Sequence, residues 1–322
     1  MDNMFRNCFK LTSINLNSFN TNNVIDISFM VAYCNLLEYI DMNKWNTTKI
    51  EKMTGTFTGC FSLKSLNLNN FVTPNLIDIS ALFSSCTFLE NINLDNFITI
   101  NVISMDNMFN NCHSLISLDL KSFDTTSVTD INLMFNECHS LVSLDLSNFK
   151  IPKVTDLTNI FYNCYSLTSL DITNFETSNV KSMSGLFQGC YSLTSINLKN
   201  FKTENVIYMY SMFRSCSSLI SLDLSSFYTP KLTKMYSMFS GCNSLTYLNL
   251  QNFETSNIDD FGEIFYGCYN LTSINIDSFN TSKAKYLNSL FEDCYSLTSV
   301  NVNKFNTSNV KDMNSMFYGC SS

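Results

Sequence analysis

The chain has 322 residues, 45% of them hydrophobic and 14% charged, with a net charge of −8. So acidic a balance excludes a nucleic-acid binder, which needs a basic footprint, and no 18-residue apolar run is present to span a membrane as a helix. Length alone suggests two domains, but no linker or change of composition interrupts the pattern described next, so one repeat domain over 1–322 is expected.

The thirteen cysteines set a fixed period of 26 residues: Cys8, Cys34, Cys60, Cys86, Cys112, Cys138, Cys164, Cys190, Cys216, Cys242, Cys268, Cys294 and Cys320. A fixed period in this range is the signature of a repeat protein whose rungs bury their apolar faces only by stacking. Each rung opens with a run such as Val128, Ile131, Met134, Phe135 and Cys138. Spacings of three and four put these residues on one face of a helical turn. A threonine precedes the run, as at Thr73, Thr177 and Thr229, where it suits an N-cap. Pro74, Pro152 and Pro230 directly follow that position, where a first helical residue tolerates proline. Gly59, Gly189 or Asn111 before the cysteine suits the left-handed end of a helix. The run is therefore predicted as a short helix of two to three turns, partly 3₁₀ in character.

The second half of each rung reads L-x-x-L-x-L-x-x-F, as in Leu115, Leu118, Leu120 and Phe123. Period-two alternation predicts a short strand with one face buried. Strands one rung apart cannot form hairpins, so a single parallel sheet is predicted. The expected fold is α/β: about twelve rungs in a leucine-rich-repeat-like solenoid, with the sheet on one face and helical or 3₁₀ segments on the other.

The whole string, including Met108-Phe109-Asn110-Asn111-Cys112-His113-Ser114-Leu115 and Met316-Phe317-Tyr318-Gly319-Cys320, resembles the BspA-like leucine-rich-repeat surface proteins. More narrowly, it resembles the 26-residue repeat family of unknown function first grouped from Mycoplasma lipoproteins. The pattern departs at Met30-Val31-Ala32-Tyr33-Cys34 and at Ala284. The resemblance implies a cell-surface or secreted protein, adhesion to host or matrix proteins for a few members, and no catalytic residues.

The cysteines lie on the apolar face of each rung, like small hydrophobes, and are expected as buried thiols that form a structural ladder. The chain carries no signal peptide and opens and closes within the repeat, so an excerpt of a longer protein lacking both caps is expected. The residue between the strand leucines is always Asn or Asp, such as Asn15, Asp119, Asp145 and Asp171. It reads first as a hydrogen-bonded ladder that sets register, and second as a ligand or cation row, although the Gly-rich nonapeptide of calcium solenoids is absent.

The position after the cysteine varies and is rich in aromatics: His113, His139, Tyr165, Tyr191, Tyr269 and Tyr295, with Tyr162 and Tyr266 three positions before Tyr165 and Tyr269. Stacking along the edge of the repeat is the plainer reading. A protein-recognition surface is the second, because Tyr brings area at small entropy cost. His113 and His139, the only histidines, fall on adjacent rungs. With no third ligand beside them, no metal site is expected. The expectation for the whole chain is a non-catalytic binding or adhesion protein on a cell surface, without cofactors, whose partner is a protein or a host or matrix macromolecule. The alternative is an intracellular scaffold or a structural spacer.

Overall fold

A computed structural model describes residues 1–322. The chain divides into two compact units, Met1–Val154 with Cys164–Asn174, and Thr155–Asn163 with Phe175–Ser322. Both are stacks of parallel rungs in which each residue meets its counterpart 26 positions on.

The strands are short: β1 (Ser13–Asn15), β2 (Tyr39–Asp41), β3 (Ser65–Leu66), β4 (Asn91–Ile92), β5 (Ser143–Asp145), β6 (Ser169–Asp171), β7 (Tyr247–Asn249) and β8 (Ser273–Asn275). They form four two-stranded parallel sheets, β1–β2, β3–β4 and β5–β6 in the first unit and β7–β8 in the second. Register follows the repeat, with Ile14 opposite Ile40 and Leu144 opposite Leu170. The single sheet predicted from the period is thus replaced by separate pairs. The inter-leucine Asn or Asp supplies the reason. Asn15, Asp41, Asp145, Asn249 and Asn275 each accept, through Oδ1, the amide two residues on. This Asx turn bends the backbone out of the strand after two or three residues. So short a ladder holds few bonds. Between Glu90 and Ile116, for instance, one bond of 3.3 Å links adjacent rungs, and no strand pair forms there. The polar row therefore ends strands within its own rung, and some members also bond the preceding rung, as Asn67 Nδ2 donates to Asn43 Oδ1 at 2.9 Å and Asn301 Nδ2 to Asp277 Oδ1 at 2.8 Å.

No helix forms. In the second complete rung the amides of Met53, Gly55, Phe57 and Gly59 bond to the carbonyls of Asp78, Ser80, Leu82 and Ser84 in the next rung. The amides of Thr56, Thr58 and Cys60 bond three residues back. Alternate amides thus serve the neighbour, and the others close successive tight turns. The pattern requires two left-handed residues per rung, four apart: Asn3 and Asn7, Gly55 and Gly59, Asn107 and Asn111, Asn159 and Asn163, Gly185 and Gly189. A left-handed residue in mid-run breaks an α-helix. Bonds to the next rung also outweigh a two-turn helix, which is marginal alone. Side chains at 53, 56, 57 and 60 still point inward and are fully buried, which is why the helical spacing in the sequence misleads.

Nor are the threonines N-caps. Thr125 is buried, and its hydroxyl donates to the Lys150 carbonyl (2.7 Å) while accepting the Lys150 amide (2.9 Å). Thr203 grips Tyr228 in the same way, and Thr281 grips Asn306. Each threonine clamps the following rung. Its own carbonyl opens a turn, as in the Leu76 amide bonded to Thr73, and Pro74 takes the second position of that turn, which proline favours.

The core holds two aromatic rows. Phe57, Phe83, Phe109 and Phe135 stack at centroid spacings of 5.6 to 5.8 Å in the first unit. Phe161 to Phe317 do the same in the second, beginning at 5.9 Å between Phe161 and Phe187. Trp45 replaces phenylalanine in the row after the strands, and its indole Nε1 donates to the Leu16 carbonyl at 3.1 Å. In the irregular rung Val31 stands in for phenylalanine, and Phe29 and Tyr33 occupy the two left-handed positions. Gly55 and Gly59 follow them because any Cβ there would strike the Phe29 and Tyr33 rings.

Candidate functional site

All thirteen cysteines are thiols outside any disulfide. From Cys34 onward each turn points its cysteine inward, and the thiol donates to a carbonyl of the preceding rung. Cys112 Sγ lies 3.1 Å from Phe83 O, Cys138 Sγ 3.2 Å from Phe109 O and Cys242 Sγ 3.1 Å from Phe213 O. That carbonyl already accepts the amide of its own rung's cysteine, as Cys86 N bonds Phe83 O. The sulfur fills the second lone pair of a buried acceptor, which alanine or valine cannot do. Burial pushes the Cys112, Cys164 and Cys294 thiols up to about 12. Thiols so protonated are poor nucleophiles and poor metal ligands. Cys8 is exposed and Cys320 half-buried.

The residue after each cysteine leaves the core at the edge of the rung. The turn from Cys138 to the Leu141 amide places His139 and Ser140 at its outer corner. A further bond runs between rungs: Ser140 N to His113 O, Ser166 N to His139 O, Ser218 N to Tyr191 O and Ser296 N to Tyr269 O, all 3.1 to 3.2 Å. The backbone under this row is therefore fixed, and its side chains stand in parallel.

In the first unit the rings of His113 and His139 stack at 4.2 Å and 11°, and His139 and Tyr165 at 4.4 Å and 11°. All three are half-buried. In the second unit Tyr269 and Tyr295 stack at 5.0 Å, both exposed, with exposed Tyr266 close by. Desolvation, then the nearby Asp293 carboxylate, raises the Tyr295 phenol, so it stays protonated. Tyr191 is exposed and Tyr162 half-buried. The sequence-derived row thus forms a ring stack within each unit.

Two features escaped the sequence reading. Tyr210 and Tyr236 form another exposed-edge stack, 5.1 Å apart and 1° from parallel; their 26-residue spacing was the available signal. Asp259 is held by Lys234 at 2.8 Å and Lys285 at 3.2 Å in a shallow groove also lined by Lys283 and Lys311. The hydrogen bond from Lys234 lowers the Asp259 carboxyl and raises the Lys234 ammonium in turn.

The expectation that the histidine pair lacks a third ligand is not met. Glu137 stands on the other side of Cys138, and its Oε2 is 2.6 Å from His139 Nε2. One donor atom from each of His113, Glu137 and His139 falls within 4.8 Å of the others. Burial, then the neighbouring His139, lowers the His113 imidazole, which favours its neutral form.

Short parallel strands at L-x-x-L-x-L, returned through a buried turn ladder once every 26 residues, define a repeat protein of the leucine-rich class. The chain belongs to the family described as Mycoplasma protein of unknown function, DUF285, which matches residues 1–114, 77–171, 164–249 and 233–322. Its repeats are of the BspA-like leucine-rich kind that its motifs resemble. Similar solved structures include a leucine-rich repeat protein from Bacteroides ovatus, 21% identical over 89% of this chain and 86% of that one, TM-score 0.37. A leucine rich cell surface protein from Faecalibacterium prausnitzii is 17% identical over 96% and 86%, TM-score 0.43. A leucine-rich repeat protein from Eubacterium ventriosum is 15% identical over 96% and 83%, TM-score 0.42. No curated protein matches the chain in sequence. No helix of the chain is long and apolar enough to cross a membrane.

Proposed function

We propose that the chain is a non-catalytic binding module, displayed on a cell surface, that holds a protein or matrix macromolecule against its aromatic edge rows. The observation that carries this reading is the Tyr269–Tyr295 stack beside Tyr266: exposed rings at 5.0 Å on a backbone already fixed by the Ser296–Tyr269 bond. Rings pre-ordered in this way lose little entropy on binding, and tyrosine contributes large contact area with a polar tip. The His113–His139–Tyr165 stack offers the same kind of surface in the first unit. A catalytic role draws no support from the thiols, whose protonated, buried state suits packing, and the family description assigns no enzymatic activity.

The test is an array of extracellular-matrix and cell-surface proteins probed with the intact chain and with a Tyr269→Ala/Tyr295→Ala variant of matched thermal stability. Capture by the native chain, weakened about tenfold or more in the variant, supports the reading. Equal capture by both places the binding surface elsewhere. Protease shaving of intact producer cells tests display: release of the chain's peptides supports it, and full protection refutes it.

A further inference from the structure

We propose that His113, Glu137 and His139 form a binding site for a divalent transition-metal ion of the zinc, nickel and copper group, with water completing the coordination shell. This goes beyond the protein-binding reading and does not depend on it.

The donor set is two imidazoles and one carboxylate, which suits these borderline ions and not the oxygen-loving calcium or magnesium. Their donor atoms already lie within 4.8 Å of one another. Ligands around a tetrahedral zinc stand about 3.4 Å apart, given bonds of about 2.0 to 2.1 Å. The remaining gap is closed by side-chain rotation. Parallel rings do not aim their in-plane lone pairs at one point, so one imidazole must turn. His139 is held by Glu137 at 2.6 Å. His113 packs on His139 by ring stacking at 4.2 Å, and its turning breaks no side-chain hydrogen bond.

Glu137 is placed by the turn: it sits at φ +60°, a left-handed position that other rungs fill with Tyr33, Gly59, Ser85, Asn111, Ser215 or Asp293, and from there its carboxylate reaches His139 across Cys138. The backbone reinforces it: the Ser140 amide bonds the His113 carbonyl at 3.1 Å, which locks the two histidine rungs in register. Cys138, between Glu137 and His139, is buried and points inward, away from the imidazoles.

The experiment uses the full chain with its thiols kept reduced. Cobalt(II), a spectroscopic stand-in for zinc, is titrated in and followed by visible absorption. Zinc is followed by imidazole ¹⁵N NMR, in which the chain has only two histidines to report. The expected result is one ion per chain, a cobalt spectrum without thiolate charge transfer, and zinc-induced shifts of both imidazoles. His113→Asn and His139→Asn each weaken binding about tenfold or more, and Glu137→Gln weakens it less. The proposal is overturned by a thiolate-type spectrum, by zinc leaving both imidazole signals in place, or by unchanged affinity in both histidine variants. If a variant does not fold, the NMR titration of the native chain decides alone.

Discussion

Thr125→Val exchanges a hydroxyl for a methyl at nearly constant volume, so it leaves no cavity. Yet in this fold it removes two hydrogen bonds at once, the donor to Lys150 O at 2.7 Å and the acceptor for Lys150 N at 2.9 Å. A net hydrogen bond contributes about 1 kcal/mol, and a buried group left without a partner costs about 1 to 3 kcal/mol. Thr125 is 1% exposed, so water replaces the hydroxyl poorly. The loss works out at about 2 to 4 kcal/mol. Thr125→Ser keeps the oxygen and loses one buried methyl, which costs about 1 kcal/mol. The expected order of stability is native, then serine, then valine. Urea unfolding followed by circular dichroism and by tryptophan fluorescence gives that order, and the free energies are comparable only if the two transitions coincide. Hydrogen exchange at the Lys150 amide reports the clamp directly and should accelerate most in the valine variant. A valine variant as stable as the serine one would refute the clamp and leave Thr125 as a space-filler.

Four further outcomes are expected. Thiols pushed up to about 12, as at Cys112 and Cys164, stay protonated in the folded chain while an unfolded chain ionises them above about pH 9. Their contribution is therefore complete below that pH and falls as pH rises, by about 1.4 kcal/mol per pH unit for each thiol; a urea midpoint unchanged between pH 8.5 and 10 would contradict this. A thiol reagent at neutral pH should label Cys8 and Cys320 quickly and the others only after unfolding, and rapid labelling of all cysteines would count against the buried ladder. Gly241 sits at φ +74°, so Gly241→Val should cost about 1 to 2 kcal/mol and Gly241→Asn clearly less; equal losses in thermal unfolding would remove the left-handed turn as the cause. Glu137→Gly relieves the same kind of strain, so it should stabilise the chain by up to about 1 kcal/mol while abolishing the bond to His139; a drop in unfolding temperature would show that the ion pair is what holds that rung.

The repeat, its inward leucines and its cysteine row could be read from the chain because stacking multiplies one pattern many times over, and the turn ladder could not. Residues at 53, 56, 57 and 60 face inward in the structure just as they would on a helix. The distinguishing mark was present: Gly55 and Gly59, or Asn107 and Asn111, place two left-handed residues four apart, where a helix tolerates only one at its end. Thr125 before an apolar run fits an N-cap and a clamp equally well, because the hydroxyl's partner 25 residues away lies beyond any local pattern. The aromatic row after the cysteines was recognisable by its variability, but its grouping into His113–His139–Tyr165 and Tyr269–Tyr295 stacks depends on ring angles. Glu137 was missed as a partner of the histidines because it stands across the buried Cys138 from His139, and on the helix that the spacing suggested residues two apart do not face each other.

By itself the sequence determined the period, the parallel stacking and which side chains fill the core, since burial of one apolar face per rung leaves no other way to remove it from water. Tertiary structure alone decided where the backbone amides bond. Half of those in the turn ladder, the threonine hydroxyls and the cysteine thiols all find partners one rung away. Choices of that kind are made between neighbouring rungs, and no single rung contains them.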